Sequence, residues 1–326
     1  MPRSLITGIT GMVGSHLADY LLANTDWEVC GLYRWRSPLD NISHIHDERM
    51  SLFYGDLHDS DSINGVVYEV KPDYVFHLAA QSYPKTSFNA ALDTYDANIH
   101  GTHRVLEALR RHKKDAIVHV CASSEVFGRV PKENIPIKED CNFHPASPYA
   151  ISKVGTDLIG RHYAEAYGMT VMTTRAFTHT GPRRGDVFAE SSFAKQIAMI
   201  EMGQQEPVVK VGNLNSMRTY CDVRDMVRAY HMLLTVNPQA GEAYNIGGDY
   251  SCTVGEMLEY LLSLSTKKIT VEVDKDRLRP IDADLQIPDC KKFKTHTGWE
   301  PKINFHQTMQ DLLDYHREKQ RGVIWR

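Results

Sequence analysis

The feature that most limits what this chain can fold into lies in its first two dozen residues. A strand-like run, Ser4–Thr7, leads straight into Gly8-Ile9-Thr10-Gly11-Met12-Val13-Gly14, and the apolar spacing of Val13–Leu22 then predicts a helix. Glycines let a backbone turn sharply and approach a phosphate closely. The helix N-terminus adds N–H donors and the positive end of its dipole. Strand, glycine turn and helix in that order predict the opening of a dinucleotide-binding fold. Gly8, Gly11, Met12, Val13 and Gly14 would surround the pyrophosphate, with GxxGxxG spacing rather than GxGxxG.

The alternation continues through Trp27–Leu32, Leu52–Gly55, Tyr74–Ala80, Ala116–Ala122 and Thr170–Ala176, each followed by a helical or loop stretch. Runs such as VFHLAA and IVHVCA are apolar at nearly every position, as in strands covered by helices on both faces. The fold class expected is α/β, a Rossmann-type doubly wound parallel sheet with a smaller interleaved α/β substrate-binding lobe. Residues 1–177 and about 214–248 would form the dinucleotide domain. Residues about 178–213 and 249–326 would form the second lobe; helices are expected over Phe193–Met202, 253–264 and 306–319 in that lobe and over Arg224–Leu234 in the dinucleotide domain.

Composition narrows the partners. Lys+Arg 37 against Asp+Glu 41 leaves a net charge of −4, which argues against a nucleic-acid partner. No apolar run approaches the roughly 18 residues of a membrane span. MPRSLITG runs directly into a strand, so no removable leader is expected. Six cysteines without a CxxC pair read as reduced cytoplasmic thiols. The sixteen histidines contain no HxxxH or HExxH motif, so no metal is expected.

After the second strand a carboxylate would suit the ribose of NAD, whereas arginine suits a 2′-phosphate. The chain has Arg34-Trp35-Arg36 there, so NADP is expected over NAD, with Arg34 the first candidate and Arg36 the second; a solvated basic turn is the alternative. Asp56 and Leu57 would line the adenine pocket. Leu78, Ala79 and Ala80 would line the central crevice.

Tyr149 and Lys153 stand four apart, on one face of a helix. An ammonium beside a phenol, together with an oxidised nicotinamide, would draw the phenol from its usual pKa of about 10 toward neutrality. A tyrosinate so placed accepts a hydroxyl proton as hydride departs. Ser123, at the C-terminal end of the fifth strand, could hydrogen-bond the reacting oxygen. Glu125 is the informative neighbour, because a plain alcohol dehydrogenase has no need of it. A carboxylate there could remove a proton beside a new ketone and protonate a leaving hydroxyl.

GITGMVG, HLAAQS, SSEVFG, YAISK, TGPRRGD, VGNLNSMR and LRPIDADL occur in the order of the extended short-chain dehydrogenase/reductase family, which the chain resembles along nearly its whole length. Within it the likeness is greatest to the GDP-mannose 4,6-dehydratases; the later segments also resemble GDP-4-keto-6-deoxymannose reductases. The resemblance implies a nucleotide-sugar lyase that uses NADP and acts on GDP-mannose. A reductase or epimerase of the same fold, or a non-catalytic dinucleotide-binding protein, stays open. It also implies substrate contacts at Ser82, Ser124, Thr178, Arg184, Lys195, Arg218 and Arg279. His179, just after the sixth strand, could touch the nicotinamide carboxamide or serve as a structural loop residue. Ser123 stands where the dehydratases have Thr, Phe127 where they have Tyr, and Thr178 where they have Asn. Arg34–Ile45 resembles the segment by which those enzymes reach a neighbouring subunit, which implies a homodimer or homotetramer.

Overall fold

Nearly every apolar run identified above becomes a strand of one parallel sheet. The computed structural model describes residues 1–278, 280–281 and 283–322. The strands are β1 (Arg3–Thr7), β2 (Glu28–Tyr33), β3 (Met50–Tyr54), β4 (Tyr74–His77), β5 (Ile117–Cys121), β6 (Thr170–Ala176), β7 (His179–Thr180), β8 (Val208–Val211), β9 (Met217–Asp222), β10 (Ala243–Ile246), β11 (Tyr250–Thr253), β12 (Thr270–Val273) and β13 (Leu285–Gln286). The helices are α1 (Met12–Asn24), α2 (Ser60–Val70), α3 (Pro84–Asn89), α4 (Ala91–Tyr95), α5 (Gly101–His112), α6 (Pro148–Tyr167), α7 (Ala189–Glu201), α8 (Val223–Thr235), α9 (Val254–Ser263), α10 (Lys291–Thr297) and α11 (Phe305–Gln320).

The large sheet has the order β10-β6-β5-β4-β1-β2-β3, and all its pairings are parallel. The strand order reverses between β1 and β4, so their C-terminal ends splay apart into the crevice where such sheets bind ligands. One face is packed by Leu17, Leu21, Met226 and Tyr230 of α1 and α8; the other by Val67, Leu106, Leu109 and Tyr163 of α2, α5 and α6. A separate core, with Phe193, Ile197, Leu258 and Leu312, joins α7, α9 and α11 to the small sheets β11-β9-β13 and β12-β8.

Two segments sit on the other side from the one expected. Met217–Asp222 follows the 214 boundary yet pairs with β7, β11 and β13 in the small sheet. It does so because only α8, capped by the Asp222 carboxylate, turns the chain back toward α1. Phe293 and Trp299, in the stretch assigned to the second lobe, are fully buried in the core of the large sheet, where Trp299 Nε1 donates to Asp225 O. No helix among the described residues is long and apolar enough to cross a membrane, and all six cysteines are unpaired.

Candidate active site

The splayed strand ends and the second lobe enclose a cleft of about 880 Å³. Its dinucleotide wall is made largely of backbone. Gly8 has φ +75°, and a Cβ there would lie 2.9 Å from Ala79 Cα. A Cβ on Gly14 would lie 2.3 Å from Gly8 O, so α1 reaches β1 only with glycine at that position. Gly11 caps α1 without any side-chain hydrogen bond, and no acid occupies the first turn. The amides of that turn therefore face the cleft as an anion seat. Thr7 Oγ1 accepts from the amides of Leu78 and Ala79, tying β1 to β4 beside it. These features fit a dinucleotide pyrophosphate.

Of the residues identified from sequence, Gly8, Gly11, Met12, Val13, Gly14, Arg34, Asp56, Leu57, Leu78, Ala79, Ala80, Ser82, Ser123, Ser124, Glu125, Tyr149, Lys153, Thr178, His179, Arg184 and Arg218 all line this cleft. Burial pushes the Asp56 carboxyl up, but hydrogen bonds from His58 and, less strongly, the nearby Arg34 charge outweigh it and hold the group below its ordinary value. Arg36 is not on the cleft wall. Its guanidinium lies 4.4 Å over the exposed Trp35 ring, because successive residues of this turn point in different directions. Lys195 also lies off the main cleft. Its ammonium pairs with Asp186 at 2.5 Å in a neighbouring surface depression. Arg279 lies outside the described residues.

The helix carrying Tyr149 and Lys153 is held at several points. Ser147 caps α6 through Ala150 N, Pro148 begins it, and Gly168 ends it with φ +64°. Tyr149 N donates to Ser87 Oγ at 3.0 Å. Asn98, in a π-helical turn over Asp96–His100, donates through Nδ2 to Ser152 Oγ at 2.8 Å and accepts from Gln81 N at 2.8 Å. It thus links the loop after β4 to the face of α6 between Tyr149 and Lys153. Sequence reasoning missed Ser87 and Asn98, since their bonds to α6 span more than fifty residues.

Burial and charge act on the Tyr149–Lys153 pair in opposite senses. Burial is the strongest influence on the Tyr149 phenol and holds it above its ordinary value. A hydrogen bond from Ser123 pulls it down, the Cys121 and Glu125 charges oppose that, and Arg184 assists it. Lys153 instead donates to Cys121 O at 2.7 Å, with Nζ 6.0 Å from the Tyr149 ring centroid, and burial lowers its own pKa. The ammonium alone therefore does not bring the phenol to neutrality. His179 is pushed down to about 4 by burial and by Arg184; its Nδ1 faces Phe177 O at 2.9 Å, so that nitrogen must donate and Nε2 is left as an acceptor.

On the substrate wall Arg218 donates to the carbonyls of Met217 and Ala283. Arg277, which sequence reasoning passed over, lines the cleft and donates to Ser192 Oγ at 3.0 Å. Its sequence neighbourhood is an unremarkable charged turn, and only the fold brings it to α7. Glu125 extends into the cleft from the 3₁₀ turn Ser124–Phe127, whose cap is the Ser123 hydroxyl accepting from Glu125 N at 3.2 Å. No metal-binding cluster occurs among the described residues. A hydroxyl, a phenol, an ammonium and a carboxylate thus share one cleft with a dinucleotide seat, the set needed for alcohol oxidation followed by proton abstraction.

Comparison with known proteins agrees with that chemistry. A family model described as GDP-mannose 4,6 dehydratase matches residues 5–312. GDP-mannose 4,6 dehydratase 1 of Arabidopsis thaliana is 35% identical over 327 residues, covering 95% of this chain and 88% of that protein. GDP-6-deoxy-D-mannose reductase of Pseudomonas aeruginosa is 30% identical over 312 residues, covering 95% of this chain and 96% of that one. Among solved structures, RMD from Pseudomonas aeruginosa complexed with NADPH superposes with a TM-score of 0.84 at 29% identity, covering 98% of this chain and 100% of that one.

Proposed function

The chain belongs to the GDP-mannose 4,6-dehydratase family, and from that premise we propose how its own residues carry out the reaction. It is a nucleotide-sugar lyase that converts GDP-mannose to GDP-4-keto-6-deoxymannose and uses NADP(H). Gly8, Gly11 and Gly14 seat the pyrophosphate, and Arg34 meets the 2′-phosphate. Held by these residues, NADP(H) would supply a reversible hydride acceptor for an internal oxidation and reduction of the hexose, with no net consumption.

Tyr149 acts as its phenolate, which the positive charge of an oxidised nicotinamide would favour against burial, and takes the C4 hydroxyl proton onto its oxygen with Ser123 hydrogen-bonded to it. Lys153, anchored on Cys121 O, fixes the α6 face on which the phenol stands. The resulting ketone acidifies C5–H; Glu125 removes that proton and delivers one to the C6 hydroxyl, which leaves as water. The observation that carries this reading is Glu125 inside a cleft that already holds Ser123, Tyr149 and Lys153. Incubation with GDP-mannose and catalytic NADP⁺ should yield a product lighter by one water in mass spectrometry. An unchanged mass from folded protein would sink the proposal.

The identity to a reductase over 96% of that protein's length supports a second reading. A reductase would instead consume one NADPH for each 4-keto sugar nucleotide, visible as absorbance loss. We further place the protein in the cytoplasm as a homodimer or homotetramer, supported by its unpaired thiols and by the exposed Leu92, Ile151, Leu158 and Trp35. A monomeric mass in light scattering at micromolar concentration would refute the assembly.

A further inference from the structure

One ionisable group on the substrate wall has no part in the chemistry above. Glu190, in the first turn of α7, lines the cleft and is only 5% exposed. Its Oε1 accepts from Arg184 Nε at 3.1 Å, and among the described residues no donor meets Oε2. Arg184 is itself clamped, its guanidinium carbon 3.5 Å from the centre of the Phe188 ring. Its charge acts on both Tyr149 and His179, which places the pair on the reacting side of the cleft.

Charge decides what such a pair can bind. A buried carboxylate beside a diphosphate would be repelled strongly, since screening by water is weak there. Arg184 is neutralised by Glu190, whereas Arg218 meets only carbonyls among the described residues and keeps its charge free for an anion. A neutral pair with one free carboxylate oxygen and free guanidinium N–H groups suits hydroxyls, which both donate and accept.

Resting on the reading that this cleft takes a nucleotide sugar, we propose that Arg184 and Glu190 form a hexose-hydroxyl clamp, with Glu190 Oε2 accepting from a sugar hydroxyl and Arg184 donating to a sugar oxygen. This moves Arg184 from the diphosphate, where the family resemblance put it, to the hexose, and leaves the diphosphate to Arg218. The clamp selects neutral, hydroxyl-rich hexoses and rejects acidic sugars, whose carboxylate would face Glu190.

The test titrates NADPH-loaded wild type, Glu190→Gln and Glu190→Ala with GDP and with GDP-mannose. Loss of a hydrogen bond to a charged group should weaken GDP-mannose about 10- to 100-fold. GDP should bind within about twofold of wild type, or tighter. GDP-mannose affinity left unchanged, or GDP and GDP-mannose weakened in parallel, overturns the clamp. If wild type prefers another base, the same comparison runs with that nucleoside diphosphate and its hexose conjugate, so failure of the GDP-mannose reading and failure of the clamp are separate results. Wild type alone supplies a second measurement needing no variant. A hexuronate conjugate should bind at least about tenfold more weakly than the hexose conjugate of the same nucleotide; equal binding overturns the proposal.

Discussion

The two walls of the cleft are built from different material. On the dinucleotide side the contacts come from backbone: Gly8 and Gly14 held against Ala79 and Gly8 O, and the uncapped amides of α1. On the substrate side they come from long side chains of separate elements: Arg184 and Glu190 near the start of α7, Arg218 on β9 and Arg277 before residue 279. Backbone donors are present in every chain, so the first wall needs only small residues and the right turn. The second wall depends on which side chains the fold brings inward and on whether their charges are already paired. A pyrophosphate seat can thus be shared across many enzymes, while the choice of sugar rests on a few ion pairs.

Five experiments probe that division, from the largest expected effect to the smallest. Glu125→Gln should lower dehydration by about 10²–10⁴-fold, the usual worth of a positioned acid–base group. GDP-mannose binding and the C4 oxidation half should survive, so NADPH absorbance should appear transiently without water loss. Full retention of dehydration would remove Glu125 from the mechanism.

Acid should weaken the packing of the large sheet. Burial pushes His16 down to about 4 and His77 and His119 down to about 3. These imidazoles are neutral when folded, while the unfolded chain takes up protons below about 6.5. Stability is therefore full above about pH 6.5 and falls on acidification toward pH 4, by on the order of 3 kcal/mol for each such histidine. A thermal midpoint that stays flat from pH 7 to 4.5 would contradict it.

Gly14→Ala should cost about 1–3 kcal/mol, because the new methyl overlaps Gly8 O. Calorimetry should also show weaker NADP binding with little change in GDP binding. Arg34→Ala should raise the Kd for NADP about 10- to 100-fold and leave NAD nearly untouched. Arg36→Ala and Lys195→Ala should alter cofactor and substrate binding by no more than about twofold, as expected of residues in exposed contacts. A large effect from either would place it back in the site.

How much of this was legible depended on the distance over which each feature is encoded. Gly8–Gly14, Ser123–Glu125 and Tyr149–Lys153 are short windows in which strand, turn or helix geometry alone sets the relative placement of side chains. They all line one cleft. Arg36 and Lys195 failed to reach it because a charge in a matching segment says nothing about direction. Arg36 found an aromatic face and Lys195 a carboxylate before either could face the cleft. Arg277 and Glu190 went unnoticed for the converse reason, lying in ordinary turns with no local pattern. Asn98 was invisible because its role is to bridge Gln81 and Ser152, 17 and 54 residues away.

From sequence alone came the parallel α/β sheet, the glycine turn and the candidate reacting groups that share one cleft, because hydrophobic period and short motifs act over a few residues. The tertiary structure decided the rest. It put β9 in the small sheet and Trp299 under the large one, left Tyr149 governed by burial with Lys153 turned to Cys121 O, and paired Arg184 with Glu190. Desolvation and charge pairing depend on every group that packs around an atom, and those neighbours come from distant parts of the chain.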